Sequence, residues 1–327
     1  MAFPPDQGQV PPGQVPPAPG QVPPGQTHAG QGQPAQPVCF RHPGRPTYVS
    51  CTRCGRPACP DCLRPASVGF QCVDCIRSGN RGVRQATGRF GGAVPTGAKV
   101  TKALMAINIV LFVIELAHSQ LGYDWLMIGG LAQYRGGPPV IGVAAGQWYR
   151  MITSAFIPPP GDGIWSFLDI AFNMWALYIV GPAVERVLGS VRFLGVYLIS
   201  AIGGSILIYY LVPSEAAAGA SGAIFGLFGA WFVLARRLNA DIRPIVMLIV
   251  LNLILSFTVA GIAWQAHIGG LISGVLITAA YAYAPRKYRA PLQIAATVAI
   301  VAIFVVAVVV RNHELIGTYT FYQGRLF

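Results

Sequence analysis

The sequence predicts an all-α polytopic membrane protein preceded by a small cysteine-rich module. Of its 327 residues, 54% are hydrophobic and only 10% are charged, whereas soluble domains carry about 25% charged residues. Apolar runs near the roughly 20 residues needed to cross a bilayer recur through the last two-thirds of the chain. All cysteines lie ahead of those runs, between Cys39 and Cys75. A chain so poor in charge must place many side chains against lipid.

The apolar runs predict seven membrane spans, which together form a membrane domain over residues 102–311. A Gly/Arg-rich linker at 77–101 precedes this domain, and a short tail at 312–327 follows it. The connections are short except for residues 119–162, which form a large first loop. The predicted spans are 102–118, 163–181, 191–212, 221–237, 243–260, 264–284 and 291–311.

Basic residues in the short connections predict the orientation of the spans, because Lys and Arg are retained on the cytoplasmic side. They occur before the first span and in alternate connections, as at Arg186, Arg236 and Arg286. The N-terminus is therefore expected in the cytoplasm and, with seven spans, the C-terminus outside. No secretory or organellar targeting signal is visible, so a bacterial plasma membrane is the expected location.

Residues 1–37 repeat Pro, Gly, Gln and Val and carry almost no apolar surface, so a disordered tail is expected there. The net charge of +12 raises the alternative of nucleic-acid binding. The basic residues, however, sit in Arg41–Lys102 and between apolar runs, where they orient a membrane protein. No nucleic-acid partner is expected.

Residues 38–76 contain four pairs of metal-ligand side chains, each pair separated by two residues. Seven thiols and one imidazole are enough for two tetrahedral zinc ions. A disulfide cluster is the alternative, but the number of cysteines is odd, and His42 completes the fourth pair. The segment is too short for an adequate core, so the zinc is expected to be structural. Spacing does not decide which pairs share an ion. The ligands are Cys39, His42, Cys51, Cys54, Cys59, Cys62, Cys72 and Cys75.

Two polar residues within the predicted spans lie on faces of small residues. His267 shares a stripe with Ala266, Gly270 and Gly274, and Ser221 opens a span whose own stripe includes Gly222 and Gly226. Packing of two small-residue faces would bring the serine to the imidazole. Such a pair makes a serine nucleophilic because the imidazole accepts its proton. Taken singly, the serine could be a helix-packing residue and the histidine a structural donor or a proton site.

These residues stand in ordered motifs. Gly219-Ala220-Ser221-Gly222 fits Gly-x-Ser-Gly, and Ala266 to Gly274 fits Ala-His-x-x-Gly-x-x-x-Gly; Trp148-Tyr149-Arg150 and Asn173-Met174 precede them. Over residues 102–284 the chain resembles the rhomboid family of intramembrane serine proteases. The resemblance implies a six-span bundle with one added C-terminal span. It also implies cleavage of transmembrane protein substrates by Ser221 as nucleophile and His267 as base, without a catalytic cofactor.

The same resemblance implies an oxyanion site. The Ser221 amide and the Asn173 side chain would hold the oxyanion, and Gly219 would allow the tight backbone beside them. Asp169 stands where the family often has histidine. An ionised carboxylate would repel the oxyanion, whereas a protonated one could donate a hydrogen bond to it.

The cysteine-rich module resembles B-box zinc fingers, which implies a cytoplasmic protein partner.

Two other functions remain open from the sequence. A catalytically inactive member of the same fold could serve as a membrane scaffold or chaperone. A transporter could relay protons through intramembrane Asp and His, although no inverted repeat is evident.

Overall fold

The computed structural model describes residues 36–81, 88–92, 95–118, 127–128, 132–133, 140–158, 163–259 and 261–323. The chain separates into two compact units, residues 1–84 and 85–327. The tail predicted at 1–37 lies outside the described residues except for its last two.

The first unit is a small fold whose core consists mainly of cysteine. A 3-10 turn at Pro60–Cys62 leads into β1 (Leu63–Pro65), which pairs antiparallel with β2 (Phe70–Cys72), and α1 (Val73–Arg81) follows. Six of the seven cysteines are buried together with only Ala58 and Leu63. So little apolar surface cannot offset the entropy lost on ordering the chain. Something besides hydrophobic burial must stabilise this unit.

The second unit is a helical bundle. Its helices are α2 (Lys99–Ala117), α3 (Arg150–Thr153), α4 (Ile164–Leu188), α5 (Ser190–Leu211), α6 (Ser221–Arg237), α7 (Arg243–Thr258), α8 (Trp264–Tyr283) and, after a 3-10 turn at Arg286–Tyr288, α9 (Arg289–Gln323). Three pairs of short strands complete the described elements of both units: β1–β2, then β3 (Met127–Ile128) with β6 (Ala216–Ala217), and β4 (Ala132–Gln133) with β5 (Val140–Ile141).

Five of these helices, α2, α4, α5, α8 and the last one from Arg286 to Ile316, are long and apolar enough to cross a membrane. The other two predicted spans correspond to shorter helices, α6 with 17 residues and α7 with 16. Most residues of α6 are buried by protein, and its bounds are those predicted for the fourth span. The predicted all-α membrane fold is confirmed.

Two helix ends differ from the prediction. The second span was predicted at 163–181 from its apolar run. Instead α4 continues through Pro182 to Leu188, and Gly189 at φ +84° separates it from α5. The last helix continues to Gln323, into the predicted tail, where the sequence contains no proline to interrupt it.

The centre of the bundle is formed by α5, α6 and α8, which meet through glycines. A Cβ on Gly270 of α8 would overlap the carbonyl group of Gly222, and one on Gly274 would overlap that of Gly226. On α5, a Cβ at Gly204 would lie 2.8 Å from the Ala266 carbonyl oxygen. Small residues allow helix backbones to touch, which is the usual source of helix association within lipid.

A buried carboxylate holds α2 against α4. Glu185 of α4 is fully buried and accepts hydrogen bonds from the Val100 amide (3.1 Å), from the amide and hydroxyl of Thr101 (2.9 and 2.8 Å) and from the Ser190 hydroxyl (2.6 Å). The amides belong to the first turn of α2, where N–H groups lack helical partners and a negative charge is favourable. Glu185 thereby fixes the start of α2.

Part of the predicted linker is packed against the helices. Phe90 is 2% exposed and belongs to the bundle core. Its carbonyl accepts a 3.2 Å hydrogen bond from Gln293, which also binds the Tyr281 carbonyl and accepts from Arg192. Residues 88–92 are therefore part of the membrane unit.

We expect Gly270→Ala to destabilise the bundle by about 3 kcal/mol or more, because the added methyl meets backbone that cannot move aside. The thermal unfolding midpoint in detergent measures the loss. Gly195→Ala is the matched control: Gly195 lies in α5, and its Cβ would meet only the Tyr281 hydroxyl at 3.4 Å. Equal midpoints for the two variants would contradict the role assigned to the glycine contact.

Candidate active site

Ser221 is the first residue of α6 and follows a turn that requires glycine. Gly219 has φ +116°, a conformation that side-chain-bearing residues rarely adopt. Its amide donates a 2.9 Å hydrogen bond to the Ser154 carbonyl, and Ser154 is buried directly after α3. The turn before the serine is therefore tied to the end of the large loop, and it places Ser221 where α6 begins.

His267 lies in the first turn of α8, beside the start of α6. Its Nε2 is 2.8 Å from the Ser221 Oγ, and the histidine is 7% exposed. The Phe225 ring stacks on the imidazole with centroids 4.1 Å apart and planes 8° apart. Ser221 and His267, which were singled out in the sequence, thus form a hydrogen-bonded pair. The stacked Phe225 ring fixes the plane of the imidazole.

The other nitrogen of His267 has a partner that the sequence analysis did not single out. The Ser256 Oγ lies 2.6 Å from the His267 Nδ1, and the Ser256 hydroxyl donates to the Asn252 carbonyl at 2.6 Å. Ser256 is in the last turn of α7 and is 4% exposed. The only signal in the sequence was a hydroxyl near the end of an apolar run, and such hydroxyls are common in membrane helices.

Asp169 and Asn173 lie one turn apart on α4 and face the turn before Ser221. The Asn173 Nδ2 donates a 3.0 Å hydrogen bond to the Asp169 Oδ2, and Asn173 is buried. The same Asp169 oxygen is 3.5 Å from the place that a Cβ on Gly219 would occupy. Within the described part of the chain, none of the ion pairs involves Asp169. All five residues predicted for catalysis and oxyanion binding therefore lie around one point.

The Trp-x-Arg motif serves the loop rather than the serine. Arg150 is 3% exposed, and its Nε donates to the Gln147 Oε1 at 2.7 Å, an oxygen that also accepts from the Gly142 amide. The Ser205 hydroxyl on α5 donates to the Met151 carbonyl at 2.9 Å. These bonds anchor the segment whose Ser154 carbonyl holds Gly219.

Two groups of four metal-ligand side chains occur in the first unit. In each group the ligand atoms lie within 4.8 Å of one another. The first and third pairs along the chain form one group, and the second and fourth form the other, which is the alternating arrangement of a cross-brace. The groups are Cys39, His42, Cys59 and Cys62, and Cys51, Cys54, Cys72 and Cys75.

The geometry of both groups fits a tetrahedral metal ion. The His42 Nδ1 is 3.4 to 3.7 Å from three sulfurs, and the Cys54 and Cys72 sulfurs are 3.8 Å apart. Four ligands at zinc bond lengths would stand about 3.5 to 3.8 Å apart. The Cys72 and Cys75 amides donate to the sulfurs of Cys51 and Cys72 at 3.2 and 3.4 Å, which favours thiolate charge.

Crowding of the thiols raises the pKa of two of them. The neighbouring Cys54 thiol, together with burial, raises the pKa of Cys75 to about 12, and burial beside Cys39 and Cys59 raises the pKa of Cys62 to about 11. The three thiols of one group and the four of the other cannot all ionise without a compensating cation. A divalent metal supplies that charge, so the donor set suits a metal better than free thiols.

A family model described as the rhomboid domain matches residues 145–284. This range contains the Ser221, His267, Asp169 and Asn173 side chains described above, and the cysteine-rich unit lies outside it.

Several proteins of this family align with about two-fifths of the chain. The rhomboid protease GluP of Bacillus subtilis is 42% identical over 143 residues, which are 42% of this chain and 27% of GluP. The rhomboid protease AarA of Providencia stuartii is 30% identical over 174 residues, 44% of this chain and 59% of AarA.

The putative rhomboid protease YdcA of Bacillus subtilis is 36% identical over 144 residues, which cover 42% of this chain and 69% of YdcA. Identity at this level over most of a relative's length, together with the matching domain model and the helical bundle, shows common descent. The chain belongs to the rhomboid family.

Proposed function

We propose that this chain is an intramembrane serine endopeptidase that uses Ser221 as nucleophile and His267 as general base. The observation that carries the proposal is the 2.8 Å contact between the Ser221 Oγ and the His267 Nε2 at the buried junction of α6 and α8. A serine hydroxyl becomes an effective nucleophile when a neighbouring base can take its proton.

In the proposed reaction, the His267 Nε2 removes the Ser221 proton as the oxygen attacks a substrate carbonyl carbon. The proton then passes from Nε2 to the leaving amine, and the acyl group remains on Ser221. A water molecule, deprotonated by the same nitrogen, releases the acyl group. Phe225 supports these transfers because its stacked ring keeps Nε2 directed at the serine.

The oxyanion of this reaction would be held at the start of α6 and by α4. The Ser221 amide is among the first N–H groups of a helix, which have no helical acceptor and carry partial positive charge. The Asn173 amide has two protons, and only one is used by Asp169. That hydrogen bond fixes the amide group and leaves the second proton for the oxyanion.

The proposed substrates are transmembrane proteins cut near the membrane surface. Ser221 and His267 stand at the starts of two helices that run in the same direction, and the connections before both lack basic residues. By the positive-inside rule, the dyad would lie toward the external leaflet, with the N-terminus cytoplasmic and the C-terminus outside. A bacterial plasma membrane remains the proposed location. GluP and AarA are named as rhomboid proteases and YdcA as a putative one, and none of these three names favours the scaffold or transporter alternatives.

A fluorophosphonate probe is expected to label the detergent-solubilised protein at Ser221. Ser221→Ala should abolish labelling, and His267→Ala should slow it by at least about a hundredfold, because a serine without its base is a poor nucleophile. In-gel fluorescence and mass spectrometry of the labelled peptide measure both. Ser190→Ala, which alters a hydroxyl bonded to Glu185, is the control that should keep the label.

Co-expression with a panel of single-span membrane proteins extends the test to proteolysis. Cleavage by the wild type but not by Ser221→Ala is expected. A wild type that neither takes the probe nor cuts any substrate would reject the protease and favour a scaffold.

We further propose that Asp169 acts uncharged, as a hydrogen-bond donor beside the oxyanion. Its neighbours in the described structure include no cationic partner, and its Oδ2 already accepts from Asn173, which leaves the other oxygen to carry a proton. A negative carboxylate at this place would oppose the charge that develops on the substrate.

Asp169→Asn tests this role because the amide keeps both an acceptor for Asn173 and a donor. It should retain or raise the rate of substrate cleavage, whereas Asp169→Ala should lower kcat by about a hundredfold, as loss of an oxyanion donor does. A fully active alanine variant would dismiss the donor role.

The cysteine-rich unit is proposed to hold two structural zinc ions, one in each ligand group. Both groups are complete with four protein ligands, so neither leaves a position for substrate. The metal would supply folding free energy that the small core lacks. A cytoplasmic protein partner is proposed for this unit.

Elemental analysis of the purified full-length protein should find about two zinc ions per chain. Cys59→Ser and Cys72→Ser should each lower the content to about one, since they alter different groups. Asp61→Asn, an exposed acidic residue between two ligands, should leave it at about two. Metal-free protein with an intact, protease-resistant first unit would contradict a structural role.

A further inference from the structure

We propose that Ser256 is a positioning residue that fixes the tautomer of His267, so that the base is a Ser256–His267 unit rather than an isolated imidazole. The inference rests on the proposed protease function for its consequence in catalysis. Its structural part, the hydrogen bond between the two side chains, can be tested without that function.

Only one placement of the protons satisfies both hydrogen bonds of the Ser256 side chain. The Asn252 carbonyl can only accept, so the Ser256 hydroxyl proton points to it across 2.6 Å. The Ser256 oxygen must then accept at its 2.6 Å contact with the His267 Nδ1. The proton of the neutral imidazole is therefore on Nδ1, and Nε2 carries the lone pair.

This tautomer is the one the proposed chemistry needs. A lone pair on Nε2, 2.8 Å from the Ser221 Oγ, can accept the serine proton. The opposite tautomer would present an N–H to the serine and could not act as its base. In a serine protease triad a carboxylate performs this selection. Here a neutral hydroxyl, oriented by a helix carbonyl, occupies the corresponding position.

The surroundings of the pair make the hydrogen bond effective. Ser256 and His267 are 4% and 7% exposed, so water competes little for either group. Ser256 and Ile245 are the two buried residues of α7, whose other side chains are exposed or half-buried. Phe225 fixes the plane of the imidazole but makes no hydrogen bond that distinguishes its nitrogens. Ser256 therefore distinguishes the two imidazole nitrogens, which the stacked Phe225 ring does not.

Thr258 offers a matched control on the same turn of α7. Its hydroxyl donates to the Ile254 carbonyl at 2.9 Å, the same four-residue back bond that Ser256 makes, but it is exposed and lies outside the His267 contact. Substituting Thr258 therefore removes an equivalent helix bond without altering the base.

The test uses full-length protein, a fluorophosphonate probe and ¹⁵N-histidine NMR. Ser256→Ala should lower the limiting labelling rate at Ser221 about tenfold, as expected for one neutral hydrogen bond, with the probe's half-saturation concentration changed less than twofold. Ser256→Thr, which keeps the hydroxyl, should retain at least about a third of the rate, and Thr258→Ala should match the wild type.

The spectrum gives a readout that a packing role would not change. The wild-type His267 should show a protonated Nδ1 and a bare Nε2, and Ser256→Ala should show a mixture of tautomers. An unchanged tautomer in Ser256→Ala, or an unchanged labelling rate, would overturn the proposal. A wild type that takes no probe would instead reject the protease function, while the tautomer comparison would still decide the role of Ser256.

Discussion

The approach of α6 to α8 is the contact on which the rest of the membrane unit depends. Where Gly222 faces Gly270, the two helices meet through backbone, with no room for a side chain between them. Each helix begins with one residue of the proposed catalytic pair, so the distance between the helices sets the distance between Ser221 and His267. A methyl added at Gly270 would overlap the Gly222 carbonyl, so the two helices would have to move apart where the pair meets. The packing of α6 against α8 therefore also sets the geometry of the proposed catalytic pair.

The remaining elements orient the side chains of the proposed site. The Gly219 turn, bound to the Ser154 carbonyl, aims the serine, and α4 brings Asp169 and Asn173 to the same turn. From α7, Ser256 reaches the far nitrogen of the imidazole. The site thus draws on α4, α6, α7 and α8 and on the segment after α3. Such a distribution is typical of sites in helix bundles, where facing helices each contribute a side chain.

The cysteine-rich unit follows a different principle of stability. Its buried residues are mostly candidate metal ligands, and the crowding of the Cys62 and Cys75 thiols raises their pKa values, which a bound cation would offset. Metal binding and folding are coupled in such units, because the site exists only in the folded chain. The membrane unit, by contrast, needs no metal for its proposed reaction.

The sequence by itself determined the membrane class and most of the helices, and it singled out most of the residues of the proposed site. Apolar length and alternating basic loops are local properties, and the small-residue stripes around Ser221 and His267 are readable from spacing alone. The eight candidate metal ligands were equally visible as pairs. Their division into two groups was not, since it depends on which turns approach one another in space.

Tertiary structure decided the features that join distant segments. The extension of α4 to Leu188 was missed because the span was predicted from an apolar run, whereas Val184, Glu185 and Leu188 are buried only in the packed bundle. The burial of Phe90 was missed because a Gly/Arg-rich linker carries no pattern that predicts docking. Ser256 was missed for the same physical reason: a hydroxyl gains its role only when packing sets it against the His267 nitrogen. Spacing predicts the faces of one helix, and only the packed bundle decides which faces meet.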